Sequence, residues 1–222
     1  MVVFQGRDSP FKKGLEVAGL LSNFRNTMIL SVVLALIMIA AYSQVSHQGF
    51  GPLFWQATFR WMHVVFGILW IGLLYYFNFV QIRKMPDIPA ELKPAVSKYI
   101  APEALFWFRW AALFTVLAGL GLAALRPAPY AEKVFTFGLA GDPTANDRGY
   151  ALMGIGIYLA IIMFLNVWGI IWPNQKVALG IKDGTAEEKA KAARIAMLAS
   201  RTNTLLSLPM LTSMAMYQTL FG

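Results

Sequence analysis

Five stretches of the sequence are apolar over roughly the 20 residues that an α-helix needs to cross a lipid bilayer. They cover residues 27–45, 55–81, 104–125, 149–172 and 198–221. The chain of 222 residues is 58% hydrophobic and 14% charged, whereas soluble domains devote about a quarter of their residues to charge. The sequence therefore predicts an all-α integral membrane bundle of about five transmembrane helices.

Residues 1–26 are predicted to form a cytoplasmic or interfacial N-terminal segment, and residues 27–222 the transmembrane helical domain. Apolar and basic side chains alternate in the first segment, a pattern that suits a short helix lying in the membrane interface or a contact with another protein. These side chains are Phe11, Leu15, Leu21 and Phe24 with Lys12, Lys13 and Arg25.

The net charge of +8 comes from basic residues that lie in the gaps between the apolar stretches. This distribution favours a topology signal over nucleic-acid binding, because cytoplasmic loops of membrane proteins are enriched in Lys and Arg. The rule predicts a cytoplasmic N-terminus and a periplasmic C-terminus. The basic residues that carry it are Arg7, Lys12, Lys13 and Arg25, then Arg83, Lys84, Lys93 and Lys98, then Lys176, Lys182, Lys189, Lys191 and Arg194.

The second apolar stretch carries nearly all of its polar groups on one stripe. Successive members of the stripe are three or four residues apart, which places them on a single helical face. Polar groups in hydrocarbon are costly, so we expect this face to turn toward protein. The stripe consists of Arg60, His63, Gly67, Trp70, Leu74, Asn78 and Gln81.

His63 is the candidate ligand in this stripe. Gly67 lies one turn away, where the missing side chain would leave room for a flat ring, and imidazole is a common haem ligand. The alternatives are a histidine hydrogen-bonded to a neighbouring helix and a role in proton or substrate handling. We therefore predict a cofactor or metal site at His63, with Arg60, Gly67, Trp70 and Arg109 as the other candidate residues. A second histidine ligand would require His47 to fold inward from the outer loop.

A second polar group is expected near the cytoplasmic ends of the spans. It comprises Asn78, Gln81, Asn166, Asn174, Arg201 and Asn203. No acidic residue lies within the core of any span to pair with Arg109, so its partners would be asparagine, backbone carbonyls or an anion such as a lipid headgroup, a haem propionate or a substrate. Snorkelling of Arg109 to the interface is the alternative.

The usual catalytic sets are missing from the sequence, and the catalytic residues stay unassigned. There is no Ser–His–Asp order compatible with the topology, no membrane carboxylate pair and no Gly-rich phosphate loop. The absence of cysteine excludes disulfides, zinc–thiolate sites, iron–sulfur clusters and covalently attached c-type haem.

Local patterns predict several details of the helices. Thr185 and Glu188 have the spacing of a capping box at the start of a cytoplasmic helix that runs into the last span. Pro173 is expected to end the fourth span, and Pro209 to kink the fifth. The pairs Gly119/Ala123 and Gly156/Ala160 have the spacing that allows close helix approach. The long outer loop after the third span is either a connector, which we favour, or a docking surface.

Four motifs resemble the membrane domain of the bacterial membrane-bound urate hydroxylases, in which a multi-span domain precedes a cytochrome c domain. They are RWMHVVFGILWIG, WFRWAALFTVLAG, IIWPNQ and LASRTNTLLSLPML, and the resemblance covers spans two to five. It implies a bacterial inner-membrane protein linked to urate oxidation and a separate cytochrome, although Ala111 stands where that family has an acidic residue. The family's motif positions fall on Arg60, Trp61, His63, Trp70, Gly72, Trp107, Arg109, Trp110, Asn174, Arg201, Thr202 and Asn203.

Two functions follow as hypotheses. The first is a redox-associated membrane protein that holds a haem on His63 and works with a separate cytochrome. The second is a non-catalytic subunit that packs on a larger membrane complex and stabilises it. A small-solute transporter is less favoured, because the sequence shows no repeated halves or paired broken helices.

Overall fold

The computed structural model describes residues 18–46, 49–140 and 147–221. Within these ranges the chain is helical and contains no strand, which confirms the predicted all-α bundle. Four helical segments are long and apolar enough to cross a membrane, so the chain is a multi-pass membrane protein. These segments are Phe24–Val45, Pro52–Asp87, Lys93–Leu125 and Arg148–Ala178.

The described residues divide into two compact units, one ending at Phe54 and the other beginning at Trp55. The first contains helix α1, Phe24–Val45, whose N-terminal turn is capped by the side chain of Asn23. Ser43 is buried and donates its hydroxyl to the carbonyl of Gly49. Residues 18–22 are also helical, but most of the predicted interfacial helix lies outside the described residues.

Helix α2 begins at Pro52 and belongs to the second unit from Trp55 onward, and the other helices lie in that unit together with three π-helical turns. The main elements are α2 (Pro52–Tyr75), π1 (Tyr76–Gln81), π2 (Val96–Ile100), α3 (Ala101–Leu125), α4 (Tyr130–Phe135), α5 (Asp147–Asn166), π3 (Val167–Ile171), α6 (Trp172–Ala178) and α7 (Ala186–Leu220). The core is built where α2, α3, α5 and α7 meet, around Trp70, Leu74, Phe108, Met163 and Val167.

The predicted stop at Pro173 is wrong, because the helix continues through α6 to Ala178. A proline inside an α-helix removes one hydrogen bond and clashes with the carbonyl four residues earlier. Here π3 ends two residues before Pro173, and the backbone N–H of Trp172 bonds to the carbonyl of Val167, five residues earlier. π2 stands in the same relation to Pro102.

The last predicted span lies inside α7, a single helix of 35 residues. It is helical as expected, yet it is not among the four segments apolar enough to span by themselves. This stretch contains many polar residues, and four of them are buried against the other helices, namely Ser200, Asn203, Ser207 and Ser213. Pro209 lies within this helix, which runs on unbroken to Leu220.

The capping box at the start of α7 is confirmed. The backbone N–H of Thr185 donates to Oε2 of Glu188 at 2.7 Å, and the backbone N–H of Glu188 donates to Oγ1 of Thr185 at 3.2 Å. The box satisfies donors that a helix start otherwise leaves unpaired, so α7 begins where local sequence alone places it.

The loop after α3 begins as a packed element. Val134 of α4 is fully buried and contacts Met153 and Tyr217. The hydroxyl of Tyr158 donates to the carbonyl of Phe135 at 2.9 Å. The first part of this loop is therefore a cap on α5 and α7, while residues 141–146 lie outside the described ranges.

Candidate functional site

The polar stripe of α2 and π1 runs from the surface into the core. Trp70 and Leu74 are fully buried, and His63, Gly67, Asn78 and Gln81 are partly buried. Arg60, at the start of the stripe, is exposed. From His63 onward the stripe thus lies on the side of the helix that contacts other helices.

His63 is held by α3. Its Nδ1 lies 2.8 Å from the carbonyl oxygen of Thr115. A carbonyl only accepts hydrogen bonds, so Nδ1 carries the proton and donates it. A methyl group in place of the hydrogen of Gly119 would lie 2.9 Å from the ring, which shows that α3 approaches the imidazole closely. In the neutral ring Nε2 then bears the lone pair.

The room expected beside Gly67 is taken by α3. A side-chain carbon at Gly67 would lie 3.7 Å from Cγ2 of Thr115, which is ordinary van der Waals contact. The space between Gly67 and Thr115 would therefore admit a methyl group but not a flat ring. A macrocycle bound to His63 would have to reach Nε2 from another side.

Arg109 is separated from His63 in the structure. On α3, Arg109 lies six residues, or roughly 9 Å along the helix axis, before Thr115, the residue that binds His63. The guanidinium carbon lies 3.9 Å from the centroid of the Trp172 ring and 5.2 Å from that of Phe106. Of the other candidate cofactor residues, Arg60 is exposed and Trp70 is fully buried, and within the described ranges neither makes a hydrogen bond to His63.

Three asparagines of the second polar group meet around one turn of α7. Nδ2 of Asn166 donates to Oδ1 of Asn203 at 2.7 Å and to the carbonyl of Ala199 at 2.8 Å. Nδ2 of Asn203 donates to the carbonyl of Met163 at 3.0 Å. Asn78 in π1 reaches the same turn, since its Nδ2 donates to Oγ of Ser200 at 2.8 Å. These amides connect π1, α5 and α7.

The other members of that group do not join the network. Asn174 donates to the carbonyl of Ile170 on its own helix at 2.8 Å, and Arg201 is exposed. Gln81 lies one turn beyond Asn78, and its Oε1 is buried. This oxygen, Oδ1 of Asn78 and Oδ1 of Asn166 accept no hydrogen bond from the residues that the structure describes.

Sequence reasoning missed several partners of these side chains. Ser200 and Ser207 bracket Asn203 at spacings of three and four, a polar stripe on α7 that the motif LASRTNTLLSLPML contains. We call these polar contacts between helices the polar seam. Tyr75 extends it, because its hydroxyl lies 3.0 Å from Oγ of Ser207. Thr115 could not be identified from the sequence as the partner of His63, because the hydrogen bond uses its backbone carbonyl, which every residue has.

Other positions of the family resemblance make local contacts. Nε1 of Trp107 donates to Glu103 at 2.8 Å, and Thr202 donates to the carbonyl of Leu198 at 3.1 Å. The rings of Trp110 and Trp168 meet edge to face at 5.7 Å. His47 lies outside the described residues, and within those described no three His, Cys, Asp or Glu side chains gather as a metal site would require.

The fold and these contacts define a multi-pass helical membrane protein with an interhelical polar seam. Comparisons of the chain with protein-family models, curated proteins and solved structures found no match.

Proposed function

We propose that the chain is a redox-associated subunit of the bacterial cytoplasmic membrane in which Nε2 of His63 binds the iron of a haem. The observation that supports this is the 2.8 Å hydrogen bond between Nδ1 of His63 and the Thr115 carbonyl. Metal-binding histidines commonly donate the other ring N–H to a carbonyl or carboxylate, which fixes the tautomer and orients the ring. His63 also keeps part of its surface accessible.

A haem would supply one-electron chemistry, and the likeness of four sequence motifs to the urate hydroxylase membrane domain favours a separate cytochrome as the electron partner. The basic loops between π1 and π2 and between α6 and α7 support a cytoplasmic location for that end of the bundle. The N-terminus would then also be cytoplasmic and the C-terminus periplasmic. We call this end, where π1, π2 and α6 lie, the basic end.

The second candidate is a non-catalytic subunit of a larger membrane complex. The observation that favours it is that two polar side chains of the stripe, His63 and Asn78, hydrogen-bond to neighbouring helices. His63 binds Thr115 and Asn78 binds Ser200, both within the second unit. In this case the stripe would stabilise the bundle, and the function would lie in the partners of the chain.

Visible spectra of the detergent-purified protein, oxidised and dithionite-reduced, separate the two candidates. The haem proposal expects a Soret band that is lost in both His63→Ala and His63→Gln. Glutamine can still donate a hydrogen bond to the Thr115 carbonyl but offers no ligand nitrogen, so it separates loss of the ligand from loss of packing. A blank spectrum from intact protein purified without added chelator would leave the structural subunit as the better proposal.

A further inference from the structure

Two cationic side chains from different helices lie over one indole at the basic end. The guanidinium carbon of Arg109 in α3 is 3.9 Å from the centroid of the Trp172 ring. Nζ of Lys176 in α6 is 5.7 Å from the same centroid. Cations are attracted to the negative face of an aromatic ring, so Trp172 holds both charges in place.

Neither Arg109 nor Lys176 has a carboxylate partner among the described residues. Glu103, the acidic residue of α3, is engaged with Nε1 of Trp107. Two positive charges held over one ring repel each other, and the repulsion grows as the surroundings become less polar. An anion beside them would be attracted to both cations and would offset this repulsion.

On α6 the cluster lies near the end of an apolar segment. α6 ends the apolar segment Arg148–Ala178, and Trp172 lies six residues, or roughly 9 Å, before its end. Headgroup regions add roughly 5–8 Å to each side of the hydrocarbon core. Basic pockets between transmembrane helices bind the headgroups of anionic lipids.

We propose that Arg109, Lys176 and Trp172 form a binding site for the phosphate of an anionic phospholipid. The planar guanidinium donates to the phosphate oxygens, and the ammonium group adds a second positive charge. Trp172 positions both side chains between α3 and α6. The site is independent of the haem proposal, because it uses neither His63 nor its surroundings.

Binding of phosphatidylglycerol to the purified full chain, followed by native mass spectrometry with phosphatidylcholine as the neutral reference, tests this site. Arg109→Gln and Lys176→Gln should each weaken phosphatidylglycerol binding about tenfold, the loss of one charge-assisted hydrogen bond. Arg109→Lys should fall between, because it keeps the charge but loses the planar fork. Lys176→Gln provides the same test should Arg109→Gln fail to fold.

Arg126→Gln is the control variant, since Arg126 also lies over an aromatic ring, 5.0 Å from the centroid of Tyr130, but follows the opposite end of α3. It should leave phosphatidylglycerol binding unchanged. Equal weakening by Arg126→Gln would overturn the proposal in favour of general surface charge. Displacement of the lipid by inorganic phosphate at equal concentration would instead indicate a site for a free anion, and unchanged binding in both Gln variants would exclude the site.

Discussion

Asn166 and Asn203 are joined by a hydrogen bond of 2.7 Å from Nδ2 of the first to Oδ1 of the second, which links α5 to α7 inside an apolar core. Asn203 is fully buried, and its Nδ2 makes a second bond between the same helices by donating to the carbonyl of Met163 in α5. Most buried polar groups in proteins are hydrogen-bonded, because leaving one unpaired is costly. The pair therefore fixes how these two helices face each other.

Removing the amide of Asn203 should weaken the bundle. Asn203→Ala leaves the Met163 carbonyl and Nδ2 of Asn166 each without one partner, so the free energy of unfolding should fall by about 1–2 kcal/mol. Thermal or SDS unfolding in detergent measures this. Asn174→Ala is the matched control, because Asn174 binds only its own helix. Equal losses in the two variants would show that the interhelical bond contributes nothing particular.

Gly156 should tolerate no side chain. A Cβ atom there would lie 2.9 Å from Cγ of Met214 and 3.4 Å from the carbonyl of Met210, and it would overlap Oγ of Ser213. Gly156→Ala should lower stability by about 1–3 kcal/mol, because α5 and α7 must separate.

Gly72 provides the comparison in the same unfolding assay, since no atom lies within 4 Å of a Cβ built on it. Gly72→Ala should leave stability unchanged or raise it by up to about 1 kcal/mol through helix propensity. A destabilised Gly72→Ala variant with an unaffected Gly156→Ala would contradict the close approach of α5 and α7.

Val134 tests whether α4 belongs to the folded bundle. Its side chain is fully buried against Met153 and Tyr217, so Val134→Ala should cost about 1–3 kcal/mol of unfolding free energy. Leu139 lies a few residues further on and is 84% exposed. Leu139→Ala should have little effect, and a neutral Val134→Ala would mean that the segment is only a connector.

The start of α7 should respond to acid. The backbone N–H of Thr185, and then its hydroxyl, hold the pKa of Glu188 below its ordinary value. A lowered folded-state pKa adds stability above the ordinary glutamate pKa, and this stability is lost as the pH falls from that value through the lowered pKa. Circular dichroism during acid titration should show helix loss in this window.

Glu188→Gln should remove that acid step, because an amide does not titrate. Glu187→Gln removes a carboxylate from the same first turn but not from the capping box, so the step should persist. Persistence of the step in Glu188→Gln would assign it to a different acidic group.

Features set by short sequence separations were predictable. The capping box of Thr185 and Glu188 depends on groups three residues apart, and the structure contains both of its hydrogen bonds. The close approaches at Gly119 and Gly156 followed from small residues at helical spacing. The periodicity of the α2 stripe placed Trp70 and Leu74 in the core.

Features that depend on the neighbouring helix were not predictable. Gly67 was predicted to leave space for a flat ring, but Thr115 of α3 lies on that side. Pro173 reads locally as a stop, yet π3 accommodates it within a continuing helix. From the sequence, Lys176 was one of several basic residues in a loop. In the structure it lies near the same indole ring, that of Trp172, as Arg109.

The sequence by itself determined that the chain is a helical membrane protein and which faces of its helices are polar, because burial in lipid demands long apolar segments and internal hydrogen bonding. Only the tertiary structure decided what those polar faces contact. His63 binds Thr115, 52 positions away, and Asn78 binds Ser200, 122 positions away. Such pairs depend on which helices become neighbours and at what rotation, and no periodicity within one helix contains that information.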